Sequence, residues 1–83
     1  MMLAGTVVIE DHVITYVTEP VTSNTTYTVC DTLNGEQETK TVLSEDFHNA
    51  LCIALHYNGL EDVMTAEMQA SAEKALGDLR WIP

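Results

Sequence analysis

The pair Asn34-Gly35 limits what this chain can fold into more than any other feature of its sequence. Asn-Gly is the preferred pair for a two-residue turn between antiparallel strands. The segments on either side of it, 27–33 and 36–43, are rich in Thr, Val and Tyr, which favour strands. A β-hairpin is therefore predicted, and the turn sets its pairs: Tyr27 opposite Val42, Val29 opposite Lys40, and Asp31 opposite Glu38.

The preceding segment, residues 6–18, also has strand composition but is long for a single strand. A hairpin that turns near Asp11-His12 is the preferred interpretation, and one long bent strand is the alternative. Pro20 cannot donate a ladder hydrogen bond and ends this segment, and residues 22–24 have loop composition. The first half of the chain therefore predicts a three- or four-stranded antiparallel sheet.

The second half of the chain changes to helical periodicity. Ser44 and Thr65 are typical N-cap residues, and each precedes a stripe of apolar residues at helical spacing. Helices are predicted at about 45–58 and 65–79. The predicted core consists of Phe47, Leu51, Leu55, Met68, Leu76 and Leu79, with Trp81-Ile82-Pro83 folded back onto it. The sequence thus predicts a single α+β domain, residues 1–83, whose sheet is packed on one face by two C-terminal helices.

The charge of the chain is strongly one-sided. It has 13 acidic residues against 3 basic ones, a formal net charge of −10. Such a domain repels nucleic acid and anionic membranes and attracts basic protein surfaces. Eight of its carboxylates form two groups that we expect to be exposed and to bind a partner. One is the tip of the predicted hairpin (Asp31, Glu36 and Glu38), and the other surrounds the helix starts (Glu45, Asp46, Glu61, Asp62 and Glu67).

Three potential metal ligands, His48, Cys52 and His56, follow one another at intervals of four residues on the first predicted helix. Imidazole and thiolate bind zinc, but zinc takes four ligands, and each interval rotates the stripe by about 40°. We therefore expect no metal, no cofactor and no enzymatic activity, and we expect Cys30 and Cys52 to be ordinary buried thiols rather than a disulfide. Because residues 47–57 include no Asp, Glu, Lys or Arg, this helix is a second candidate interface.

The chain has no apolar run near the roughly 20 residues that a membrane span requires. Its first residues also lack the basic and apolar regions of a signal peptide. Both features favour a cytoplasmic location.

In its size, its acidity and its predicted layout, the whole chain resembles the small acidic proteins by which phages inhibit bacterial defence, including many anti-CRISPR proteins. The resemblance implies a non-enzymatic inhibitor in the host bacterial cytoplasm, bound to the basic nucleic-acid-binding surface of a protein or nucleoprotein complex. It would act either as a mimic of DNA or as a steric block, without binding nucleic acid or membrane itself. The alternative is a small interaction module, such as an antitoxin-like or an oligomeric phage accessory protein. A homodimer is compatible with both.

Overall fold

The computed structural model describes residues 3–60 and 63–79 as an antiparallel sheet followed by two helices. The elements are β1 (Leu3–Ile9), β2 (His12–Glu19), β3 (Asn24–Asp31), β4 (Gln37–Leu43), α1 (Ser44–Tyr57) and α2 (Ala66–Asp78). The predicted α+β architecture is therefore confirmed, with four strands in the sheet. The bounds of both helices agree with the prediction to within one residue.

The strands lie in the sheet in the order in which they occur in the chain, β1-β2-β3-β4. β1 and β2 form a hairpin with Ile9 opposite His12, so the long first segment is two strands and not one bent strand. Glu10 and Asp11 make the turn, one residue earlier than predicted. Glu10 has a φ of 53°, in the left-handed region that tight hairpin turns use.

The second hairpin is present, but its predicted register is wrong by two residues. The connection between β3 and β4 spans Thr32–Glu36 rather than Asn34-Gly35 alone, and the Asp31 N–H closes it by donating to the carbonyl of Glu36 at 2.9 Å. A shift by two residues keeps every side chain on the same face of the sheet, so the pattern of buried and exposed positions is unchanged. The observed pairs are Tyr27 with Lys40 and Val29 with Glu38.

The two helices begin in different ways. Thr65 caps α2 as predicted, since its Oγ1 accepts a hydrogen bond from the Met68 N–H at 3.2 Å. Ser44 does not cap α1, because the N-cap position belongs to Leu43. The Ser44 hydroxyl instead forms a hydrogen bond with Thr25 Oγ1 at 2.8 Å. This bond joins the first residue of α1 to the buried side of β3.

The helices cover one face of the sheet, and the core lies between the two layers. α1 contacts β3 and β4, and α2 packs along α1. Phe47 is only 1% exposed, and its ring centroid lies 4.8 Å from that of Tyr27 and 5.2 Å from that of Tyr16. The buried apolar residues are Ile9, Ile14, Tyr27, Val29, Phe47, Ala50, Leu51, Ala54, Ala72, Ala75 and Leu79.

Most of the predicted core side chains are at least partly buried: Phe47, Leu51, Met68, Leu76 and Leu79. Leu55 is 41% exposed, so its assignment to the core was wrong. Position 54 is seven residues after Phe47 and returns to nearly the same side of the helix, whereas position 55 is rotated by about 80°. Ala54 is therefore buried in place of Leu55. The predicted packing of residues 81–83 lies outside the described residues.

Candidate partner-binding surface

Asp31 is buried beneath the β3–β4 connection and is not at an exposed tip, so its expected exposure was wrong. The residue is only 5% exposed. Its Oδ1 accepts hydrogen bonds from the N–H groups of Leu33 at 2.8 Å and Asn34 at 3.4 Å. Its Oδ2 lies 3.9 Å from Nε2 of the buried His12. Asp31 therefore holds the loop in shape. The signal for this role was in the sequence, because Asp before a turn often accepts from the backbone two residues on.

Different carboxylates form the exposed tip of the sheet. Thr32 donates to the Asp11 carbonyl through both its backbone N–H at 2.9 Å and its Oγ1 at 3.0 Å. These bonds tie the β1–β2 turn to the β3–β4 loop. Glu10, Asp11 and Glu36 are all exposed at this end of the sheet, and we call these three residues the acidic end. Sequence reasoning included Glu36 but missed Glu10 and Asp11, because only the strand order brings the two turns together.

Glu38 is separate from the acidic end. It pairs with Val29, whose side chain is in the core, so Glu38 projects on the helix-covered side of β4. The side chain is partly buried, and Lys40 projects on the same side two residues further on. The lysine offsets negative charge here. Glu38 is therefore a weaker candidate contact for a cationic partner than Glu36.

The carboxylates at the helix starts do not form one group. Glu45 and Asp46 are exposed in the first turn of α1, and Glu67 is exposed in the first turn of α2. The helices are antiparallel, because Asp46 at the start of α1 and Asp78 at the end of α2 line the same cavity. Glu67 therefore lies at the opposite end of the helical layer from Glu45 and Asp46. The other members of the predicted group lie outside the described residues: Glu61 and Asp62.

The cavity between α1, α2 and the sheet is an open groove of about 570 Å³. Its floor includes the aromatic rings of Tyr27 and Phe47, and its lining includes Lys74 together with Asp46 and Asp78. No histidine or cysteine is among the described residues that line it. The groove thus offers apolar surface with charges of both signs, which suits a protein side chain better than a metal ion.

The three potential metal ligands on α1 lie in different environments. His48 is partly buried, with Nε2 3.3 Å from Thr18 Oγ1 and its ring edge-on to that of Tyr16. Cys52 and His56 are exposed. Within residues 3–60 and 63–79, no group of three or more His, Cys, Asp or Glu side chains is placed to hold a metal ion. His48 packs α1 against β2. Both cysteines of the chain are free thiols, as predicted, but Cys30 is only partly buried and Cys52 is exposed, so their expected burial was wrong.

The face of the sheet opposite the helices, which we call the open face, is uncharged along its centre. Two pairs of threonine hydroxyls bond to each other across strands β3 and β4, at 2.9 and 2.8 Å. These bonds partly satisfy the hydroxyls, so the face presents mainly methyl groups. The residues of its centre alternate with the core positions along each strand: Thr6, Val8, Val13, Thr15, Val17, Thr26, Thr28, Cys30, Thr39 and Thr41.

Neither of the helices in the described part of the chain is long and apolar enough to cross a membrane. Comparison of the chain with protein family models, with curated proteins and with solved structures gave no match. The function of this protein must therefore be inferred from the chemistry of its own surface.

Proposed function

We propose that this protein is a non-enzymatic acidic inhibitor, encoded by a phage, that covers the basic nucleic-acid-binding surface of a defence protein or complex in the bacterial cytoplasm. One observation carries the proposal. Exposed carboxylates lie at both ends of the sheet, while Lys40 and Lys74 are the only lysines or arginines among the described residues. A surface that binds nucleic acid does so largely through Lys and Arg contacts to phosphate. A basic surface of this kind is complementary in charge to these carboxylates.

The acidic end is held in place before any partner binds. Asp31 fixes one side of the loop through the Leu33 N–H, and the Asn34 Oδ1 accepts from the Glu36 N–H at 2.9 Å on the other. Thr32 ties the same loop to Asp11. A surface that is already ordered loses less conformational entropy when it binds. We therefore expect the acidic end to contribute more binding free energy than the carboxylates on α2.

The two exposed acidic regions are separated by the length of the sheet. Strands of seven to eight residues extend about 25 Å, with the acidic end at one extreme and Glu45 and Asp46 at the other. One molecule can therefore contact two separate basic patches. The net charge accelerates encounter with the partner, and a few desolvated Arg–carboxylate pairs then slow its release. This geometry supports both DNA mimicry and steric block as the mode of inhibition.

The experiment starts by capturing a partner from bacterial lysate on the immobilised protein and purifying that partner. Its nucleic-acid binding is then titrated with the wild-type protein at about 50 and about 300 mM NaCl. We expect inhibition to weaken by at least about tenfold at the higher salt, because charge-steered binding is screened. Asp11→Lys/Glu36→Lys should weaken inhibition at both salt concentrations.

The matched control is Glu67→Lys/Glu73→Lys, which changes the net charge by the same amount on exposed positions of α2. This variant should retain most of the inhibition if the acidic end is the contact. Equal inhibition by the wild type and both variants at both salt concentrations would show that the acidity serves only solubility. Equal loss with both variants would show that net charge, and not the acidic end, determines binding.

The open face favours a second candidate, a small interaction module that assembles through its sheet. Its centre carries Thr, Val and Cys but no Asp, Glu, Lys or Arg, which is unusual for an exposed face of so acidic a protein. The salt dependence of binding distinguishes the two candidate functions. Assembly through an uncharged surface of an anionic protein becomes stronger as salt screens repulsion, whereas inhibition through carboxylates becomes weaker.

A further inference from the structure

The outer edge of β1 is unprotected. Among the described residues, β1 pairs only with β2, so its other side is an edge of the sheet. Sheet edges are normally guarded by charged residues or proline, because their free backbone groups can pair with another strand. The opposite edge follows this rule, since β4 carries Glu38 and Lys40. β1 has the sequence Leu-Ala-Gly-Thr-Val-Val-Ile and is the only described strand without a titratable side chain.

The outward backbone groups of β1 belong to three exposed residues. The two residues that flank a two-residue turn form a hydrogen-bonded pair, here Ile9 and His12. Along β1, successive residues then direct their backbone N–H and C=O groups alternately toward β2 and away from it. The N–H and C=O groups of Ala4, Thr6 and Val8 therefore point away from β2. All three residues are exposed. A row of alternating donors and acceptors of this kind is complementary to another extended strand.

We propose that the occupant of this edge is β1 of a second copy, paired antiparallel so that the two sheets become one continuous sheet. The absence of charge on β1 permits a second copy at this edge. Two molecules with a net charge of −10 repel each other unless they meet where carboxylates are absent, and the β1 edge is such a place. In the paired strands the turn at Glu10 of one copy lies beside Leu3 of the other. The acidic ends therefore point in opposite directions, and their mutual repulsion is small.

The side chains of β1 suit a twofold axis at Thr6. In that register the whole strand is paired, Thr6 faces itself, and Val8 faces Ala4 of the second copy. On the helix side Val7 faces Gly5, where the Tyr16 hydroxyl group and ring occupy the place that a Cβ atom would take. The Tyr16 ring therefore covers the glycine and gives Val7 an apolar partner. Val7 and Val8 thus each meet a small residue across the axis, and Ile9 faces Leu3 at the two ends of the paired segment.

The dimer does not depend on the proposed inhibitor function, because the acidic end stays exposed in it. The test is sedimentation velocity of the full chain from about 10 to about 300 µM, at about 50 and about 500 mM NaCl. We expect a monomer–dimer equilibrium that shifts toward dimer with concentration and with salt. Thr6→Pro removes one outward N–H and leaves the bonds to β2 intact, so it should abolish the dimer.

Thr6→Glu is a second variant, which places two carboxylates face to face across the axis and should also give monomer at the lower salt. Thr39→Glu is the matched control, because it adds the same charge to an exposed open-face position of the β4 edge and should leave the dimer intact. Circular dichroism confirms that each variant is folded. A wild type that stays monomeric under every condition, or a dimer that survives in folded Thr6→Pro, overturns the proposal.

A third result also overturns it. If the wild type is monomeric and Thr6→Pro abolishes capture of a partner from lysate, the edge takes a strand of another protein. Failure of the inhibitor proposal is distinguishable from failure of the dimer, because Asp11→Lys/Glu36→Lys should weaken inhibition without abolishing the dimer.

Discussion

Replacement of Asp31 tests whether a buried carboxylate, and not Asn34-Gly35, determines the β3–β4 connection. Asp31→Ala removes the acceptor of the Leu33 N–H at 2.8 Å and the longer bond from the Asn34 N–H at 3.4 Å. A hydrogen bond to a charged acceptor contributes about 1.5–3 kcal/mol, and the second bond lies at the limit of useful distance. We therefore expect the free energy of unfolding to fall by about 2–3 kcal/mol.

Two further variants separate the causes of that loss. Asp31→Asn keeps an acceptor oxygen and removes the charge beside His12, so it should cost about 1 kcal/mol. Glu36→Ala removes an exposed carboxylate from the same connection and should change the free energy of unfolding by less than about 0.5 kcal/mol. Urea denaturation followed by circular dichroism measures all three, against a total of roughly 4–12 kcal/mol for a domain of this size. If Asp31→Ala unfolds at the same urea concentration as Glu36→Ala, the carboxylate does not hold the connection and the reasoning is refuted.

Three further stability predictions concern the core, the sheet and a cap, all measured by the same denaturation. Phe47→Ala should cost about 3–5 kcal/mol, because the ring is buried against Tyr16, and an unchanged midpoint would show that α1 packs differently. Gly5→Ala should cost about 1–3 kcal/mol by forcing Tyr16 to move, and the cost should largely disappear in a Tyr16→Ala background. Thr65→Ala should cost about 1 kcal/mol through loss of the bond from the Met68 N–H, and no change would show that α2 does not need its cap.

The sequence by itself determined the elements of this protein and the general character of its surface. Period-two and period-3.6 patterns identify sheet and helix because they depend only on neighbouring residues, and the N-cap at Thr65 is equally local. The excess of carboxylates is a property of composition and needs no structure at all. Even the wrong register of the second hairpin kept the same residues of β3 and β4 together on one face, since the error was two residues.

Only the tertiary structure decided which carboxylates lie together. The prediction placed Asp31 and Glu36 in one exposed tip, but Asp31 is buried beneath its own loop and Glu36 is exposed. Glu10 and Asp11 join Glu36 because the strand order places two turns at one end of the sheet and Thr32 links them. The strand order also decides that β1 is an edge strand, because β2 lies on one side of it and no other described strand lies on the other. Contacts between distant residues depend on topology, and local patterns specify topology only weakly. The elements and the excess of carboxylates could therefore be predicted, whereas the grouping of the carboxylates on the surface could not.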